Sequence, residues 1–161
     1  MMLANVASAE LRSAVADFYF DYADALDRRR MSDWIELFSE EGLYSLTTHA
    51  NAAGKGLYLI YEKGREAVTR RAAVSSGYLK AQRNKTLHMI SNVRVTEVAG
   101  PHLHVNACFA VFRTARDKTS QLHACGEFHD ILINADNRLR LVEHNVVVDA
   151  ETLPSNMVEL F

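Results

Sequence analysis

Cys108 and Cys125 supply all the thiol chemistry open to this chain, and each has the wrong neighbours for an iron–sulfur site. A Rieske cluster takes two thiolates and two imidazoles from paired Cys-x-His and Cys-x-x-His arrangements. Cys108-Phe109-Ala110 and Cys125-Gly126-Glu127-Phe128 offer neither. Cluster-borne electron transfer therefore does not reside in this polypeptide. A mononuclear metal needs a separate test. His102 and His104 stand two residues apart, as do Glu127 and His129, and such pairs can furnish two histidines and a carboxylate. The same spacing also puts polar residues on the solvated or partner-facing side of a sheet whose other side is core. That second reading is favoured, so no metal ligands are expected. His123 and Cys125 extend this polar face, which is broad and chemically mixed, as a partner-binding surface would be.

The strands carrying these side chains are the clearest elements. Leu103, Val105, Ala107, Phe109 and Val111 alternate against His104, Asn106 and Cys108. Upstream, Leu87, Met89, Val93 and Val95 share a face opposite His88, Asn92, Arg94 and Thr96, and Gly100-Pro101 makes the turn of a hairpin. Downstream, Leu122, Ala124, Gly126, Phe128 and Leu132 alternate against Gln121, His123, Cys125, Glu127 and His129, between turns at Asp117-Lys118 and Ala135-Asp136-Asn137. In the last strand, Leu139 and Leu141 are out of phase with Val146 and Val148, which predicts a bulge between Val142 and His144.

Helices precede these strands. Leu11, Val15, Phe18, Tyr19, Tyr22, Ala25 and Leu26 recur at helical spacing, with Ser8 as N-cap and Arg28, Arg29 and Arg30 at the carbonyl end. A short helix after Ser32 carries Trp34, Leu37 and Phe38 and stops at Glu41-Gly42. Leu43 to Thr48 reads as a strand, His49 to Gly56 as a loop, and Leu57 to Tyr61 as a brief apolar run. Glu62 to about Ser75 reads as a third helix, with an exposed connection to Asn84. Together these predict an α+β domain in which helices cover one face of a strongly curved, mostly antiparallel sheet.

With 161 residues and 48% hydrophobic content, residues 1–161 fit a single domain that buries roughly two thirds of its unfolded surface. Eighteen basic and 20 acidic residues leave a formal charge of -2, mixed along the chain, so no global field favours nucleic acid or an anionic membrane. An apolar signal segment and a long hydrophobic span are both missing. No membrane role is expected, and the two cysteines are expected as free buried thiols in a reducing cytoplasm.

Several segments carry more than periodicity. Leu26-Asp27-Arg28-Arg29-Arg30-Met31-Ser32-Asp33-Trp34-Ile35-Glu36-Leu37-Phe38 leads a leucine-aspartate-arginine stretch into a tryptophan and a leucine-phenylalanine pair. After it come Leu57-Tyr58-Leu59-Ile60-Tyr61-Glu62, His88-Met89-Ile90-Ser91-Asn92-Val93-Arg94-Val95, Val111-Phe112-Arg113-Thr114, Val147-Val148-Asp149 and Leu153-Pro154-Ser155-Asn156. In this order and spacing, from about residue 10 onward, the chain resembles the small β subunit of aromatic-ring-hydroxylating dioxygenases. The resemblance implies a cone-shaped, cystatin-like α+β barrel related in fold to ketosteroid isomerases, scytalone dehydratase and SnoaL-like polyketide cyclases. It further implies that three such subunits form a trimer within a hexamer of three catalytic α and three β chains. The Rieske [2Fe-2S] cluster and mononuclear Fe(II) are then expected in the α subunit, none in this chain, whose role is structural and non-catalytic in the breakdown of aromatic compounds. The Leu57 to Glu62 segment resembles β subunits that serve benzoate-like, salicylate-like or terephthalate-like substrates. His88 and Glu143-His144 depart from a more basic pattern common in the family.

The related folds also define a rival expectation: a stand-alone SnoaL-like or ketosteroid-isomerase-like enzyme, or a protein that binds a small hydrophobic ligand, with acid/base groups inside the cone. The candidates are Tyr19, Tyr22, Asp33 and His88, where helix start and strand mouths project in such folds. Core packing is the alternative role for the tyrosines, and a first-turn charge on the helix dipole is the alternative for Asp33. Arg94, Arg113 and Asp149 lie on or beside apolar strands, where an unpaired charge is costly, so ion pairs within the chain or across a subunit boundary are expected. With Pro154 and Asn156 they form the interface candidates. The tail, 151–161, carries Leu153, Met157, Val158, Leu160 and Phe161, and is expected to dock on the domain or a neighbour.

Overall fold

A computed structural model describes residues 7–54, 56–82, 84–151 and 160–161. Helix α1 (Ala9–Asp27) follows from its apolar stripe: Val15, Phe18, Tyr19, Tyr22, Ala25 and Leu26 are all buried, and Ser8 caps the start by accepting from the Leu11 amide at 3.1 Å. The chain leaves the helix at Arg29, where φ is 57°. The Arg29 guanidinium then donates to the main-chain oxygens of Leu79 and Asn84. Helix α2 (Met31–Glu36) buries Trp34. Its N-cap is Arg30 rather than Ser32, and it ends before Leu37 instead of running to Gly42. The reason is strand pairing: β1 (Phe38–Thr48) begins where Phe38 meets Leu141, and that long-range contact overrides the local helical spacing.

The remaining helices differ from expectation in extent. The span expected as a loop contains α3 (His49–Ala53), capped by the Thr48 hydroxyl. After β2 (Ile60–Lys63), helix α4 (Arg65–Gln82) continues through the stretch expected as an exposed connection, because Leu79 is buried and holds its last turns down.

The sheet is built from β1, β2, β3 (Lys85–Ala99), β4 (His102–Thr114), β5 (Gln121–Ala135) and β6 (Arg138–Val148), in the order β2-β1-β6-β5-β4-β3. The last four strands form the expected antiparallel meander, and β1 lies parallel to β6. The β5–β6 turn uses Asp136 and Asn137 at φ 53° and 60°, a positive-φ pair whose twist suits a hairpin. Three local devices shape the sheet. At Gly126 a Cβ would stand 2.1 Å from the main-chain oxygen of Val147, so only glycine lets β5 approach β6 this closely. Ile131 pairs with Glu143 while Leu132 pairs with Leu141, which leaves Val142 as the extra residue of the predicted bulge. The third device is a bulge in β3, where the register shifts between Ser91 and Arg94 and Asn92 adopts φ 54°.

That third bulge corrects the expected facing of β3. His88 is buried, while Leu87 and Met89 stand 54% and 55% exposed on the opposite face. Beyond Asn92 the phase reverses, and Val93 and Val95 pack against the core. The core itself is a wedge of rings between α1, α2 and the sheet. Trp34 lies 4.8 Å from Phe38 and 5.7 Å from Tyr44, while Phe128 stacks on Phe109 at 4.6 Å. Among the described residues no helix is long and apolar enough to cross a membrane.

Candidate functional site

Inside this core lies a polar cluster. Asp130 of β5 and His144 of β6 are cross-strand partners, both fully buried, with Nδ1 3.0 Å from each carboxylate oxygen. Helix α1 brings two tyrosines onto them. The Tyr19 hydroxyl donates to Asp130 Oδ2 at 2.7 Å, and the Tyr22 hydroxyl lies 2.9 Å from His144 Nε2. The Asn145 amide adds a further donor to Asp130 at 3.2 Å. A buried carboxylate is costly unless it is paired and hydrogen-bonded, and this one meets both conditions.

Residues 160–161 enter the same interior. Phe161 is 2% exposed and Leu160 3%. The Tyr22 hydroxyl donates to the main-chain oxygen of Phe161, which His144 Nε2 approaches at 3.2 Å, and the Phe161 amide donates to the Tyr44 hydroxyl at 3.4 Å. The Leu160 oxygen lies 3.1 Å from His88 Nε2. The Nδ1 contact with Asp130 needs one proton between the two groups. The cluster thus sets Asp130 on one side of the His144 ring and gathers the Tyr22 hydroxyl, Nε2 and the Phe161 oxygen on the other, with Tyr22 donating to that oxygen. This is the geometry that polarises a carbonyl or holds a carboxylate.

Burial dominates the acidities. It pushes the Tyr19 and Tyr22 hydroxyls well above the usual phenol value, with the charge of Asp130 adding to both. Burial also pushes Tyr44 up to about 12. The Trp34 indole N–H stands near enough to ease ionisation of Tyr22, yet Nε1 makes no properly aligned hydrogen bond among the described residues.

The structure separates the acid/base candidates. Tyr19 and Tyr22 sit in the cluster. His88 points inward but its Nδ1 lies 2.6 Å from Asp27 Oδ1, and its own amide also donates to that carboxylate. Asp33 is at the surface, half exposed and bonded to Arg30 at 2.5 Å, so it does not join Tyr19 and His88. Of the interface candidates, Asp149 is exposed and meets His49 Nε2 at 2.9 Å and the Cys125 thiol at 3.6 Å. Arg113 is half-buried and its guanidinium reaches the Tyr78 hydroxyl at 3.4 Å. Arg94 is exposed on β3. Pro154 and Asn156 lie outside the described residues. His102 and His104 line the outer face of β4, and Glu127 contacts His129 at 3.1 Å on β5. Among the described residues no three His, Cys, Asp or Glu side chains gather as a metal-ligand group. Both cysteines are free and half-buried rather than buried.

Asp130 and His144 were missed as functional residues although a signal existed. Asp130 falls in phase between Phe128 and Leu132, and His144 in phase with Val146 and Val148, so both occupy core positions of their strands.

A family model described as the ring hydroxylating beta subunit matches residues 22–155. A solved structure assigned as the β subunit of an aromatic-ring-hydroxylating dioxygenase from Novosphingobium aromaticivorans superposes with a TM-score of 0.81 at 21% identity, covering 92% of this chain and 94% of that one. The β subunit of benzoate 1,2-dioxygenase from Burkholderia mallei gives 0.75 at 16% identity, covering 99% and 100%. A Nostoc punctiforme protein of unknown function with a cystatin-like fold gives 0.67 at 15% identity, covering 92% and 98%. The fold is therefore the cystatin-like α+β cone.

Proposed function

This chain belongs to the family of ring-hydroxylating β subunits, and from that premise we propose that it is the non-catalytic, structural β subunit of a Rieske-type aromatic-ring-hydroxylating dioxygenase. It assembles in the cytoplasm with catalytic α chains as a hexamer of three α and three β chains. The observation that carries this reading is the outer face of the sheet. Leu87 pairs with Phe112 and Phe112 with Leu122, so three apolar side chains form a row across β3, β4 and β5. Leu87, Met89 and Leu122 are more than half exposed, and at the opposite edge of the sheet Tyr61 of β2, with Leu57 and Tyr58 before it, forms a second exposed apolar group. Apolar surface gathered in this way marks a protein–protein contact.

The redox centres belong to the α chain in this scheme, and the residues here fit neither. Cys125 pairs in register with Ala110 and Cys108 with Glu127, so the two thiols do not face one another and neither carries a Rieske-type histidine spacing. What the chain supplies is rigidity. A ring-packed cone with a satisfied polar centre presents its outer face at fixed geometry, so that α chains seated on it keep one chain's cluster near the next chain's iron.

Co-expression with the catalytic chain tests the reading. The two chains are expected to co-purify, and Leu87→Asp combined with Met89→Asp is expected to abolish co-purification while the isolated chain still folds. Chains that never co-purify would sink the assignment.

A further inference from the structure

The buried polar groups treat residues 160–161 as a ligand, and this goes beyond the scaffold role without depending on it. Main-chain polar groups usually bond to other main chain or to water. Here the Leu160 oxygen meets His88, the Phe161 amide meets Tyr44, and the Phe161 oxygen accepts from Tyr22 with His144 Nε2 3.2 Å away. The Phe161 ring lies 6.0 Å from both Phe109 and His123. The surroundings of Phe161 thus join an aromatic-lined position to a polar one, both filled by the chain itself. Beside them, the Asp130–His144 pair is more than packing requires, since an apolar pair of equal volume would be no less stable.

We propose that the cone interior is a binding site for a small single-ring aromatic compound whose side arm bears an acceptor oxygen, an arylalkanoic acid or aryl-alkyl ketone, and that Leu160 and Phe161 occupy it in its absence. Tyr22 and His144 bind the ligand's oxygen in place of the Phe161 oxygen, and the ligand's ring takes the place of the Phe161 ring. A site built around donors rejects an analogue lacking the acceptor, because those donors would be left unpaired.

The test uses the whole chain, whose single tryptophan, Trp34, is fully buried 6.3 Å from the Tyr22 ring and reports on the interior by fluorescence. The probes are 3-phenylpropanoate, 4-phenylbutan-2-one and propylbenzene. In Phe161→Ala, at least one oxygenated probe is expected to bind about tenfold more tightly than propylbenzene, the worth of one good hydrogen bond. Adding Tyr22→Phe is expected to erase that preference while leaving the propylbenzene affinity in place. The two oxygenated probes separate acid from ketone. Equal binding of all three, or indifference to Tyr22→Phe, would show only a bare apolar hole and overturn the proposal. Should Phe161→Ala fail to fold, hydrogen exchange on the unaltered chain decides. A saturating oxygenated probe is expected to deprotect the Phe161 amide, and unchanged protection with both probes overturns the proposal.

Discussion

Asp130 and His144 face each other directly across the β5–β6 ladder, and the histidine's Nδ1 is 3.0 Å from both carboxylate oxygens while both residues are shut off from solvent. Removing one member strands the other in a dry interior. Asp130→Ala and His144→Ala are each expected to destabilise the fold by about 3–5 kcal/mol in denaturant melts. The double variant is expected to lose at least about 1 kcal/mol less than the sum. Additive losses would mean the two are not coupled.

Glycine substitutions should have opposite signs at two sites. At Gly126 an added Cβ collides with the Val147 main-chain oxygen, so Gly126→Ala is expected to cost about 3 kcal/mol or more by forcing β5 away from β6. At Gly77, inside α4, nothing lies within 4 Å of an added Cβ, and alanine is expected to stabilise by about 0.5–1 kcal/mol. Thermal melts of the pair check both directions.

High pH should loosen the fold through Tyr44. Burial pushes its pKa up to about 12, above the ordinary phenol value of about 10, so the unfolded chain gives up the proton first. The contribution is intact below about pH 10 and falls away between about 10 and 12, by about 2–3 kcal/mol for this group. Denaturation midpoints followed from pH 8 upward are expected to drop in that window, and Tyr44→Phe is expected to flatten the drop.

The β3 bulge rests on one residue. Asn92 sits at φ 54°, where a β-branched side chain is strained, so Asn92→Val is expected to cost about 1–2 kcal/mol and Asn92→Gly to be tolerated. Chemical denaturation of both variants is the check, and equal stability would mean that the bulge has shifted.

Local period was enough for much of this architecture. The stripe of α1, the alternation of β4 and the misplaced phase at Val142 are all properties of neighbours in sequence, and each appears in the structure. The polar centre required knowing which strands adjoin. Asp130 reads as an interruption between Phe128 and Leu132 until β6 lays His144 against it and α1 lays Tyr19 on top. The facing of His88 was hidden for a related reason. Asn92 inserts a phase reversal into β3 that uniform alternation cannot reveal, so Leu87 and Met89 look like core and lie outside. Asp33 carries a plausible residue type in a plausible place, but its neighbour Arg30 draws it outward.

The parallel seam between β1 and β6 has a consequence for birth on the ribosome. Ser45 and Asn145, bonded across that seam at 2.7 Å, are 100 positions apart in the chain. At roughly 5–20 residues per second, β1 emerges about 5–20 s before its neighbour exists. Tyr44 and Leu46 stay without their β6 partners for that interval, and because β2 pairs with the other edge of β1, the edge that awaits β6 is left open to other chains until residues 138–148 arrive.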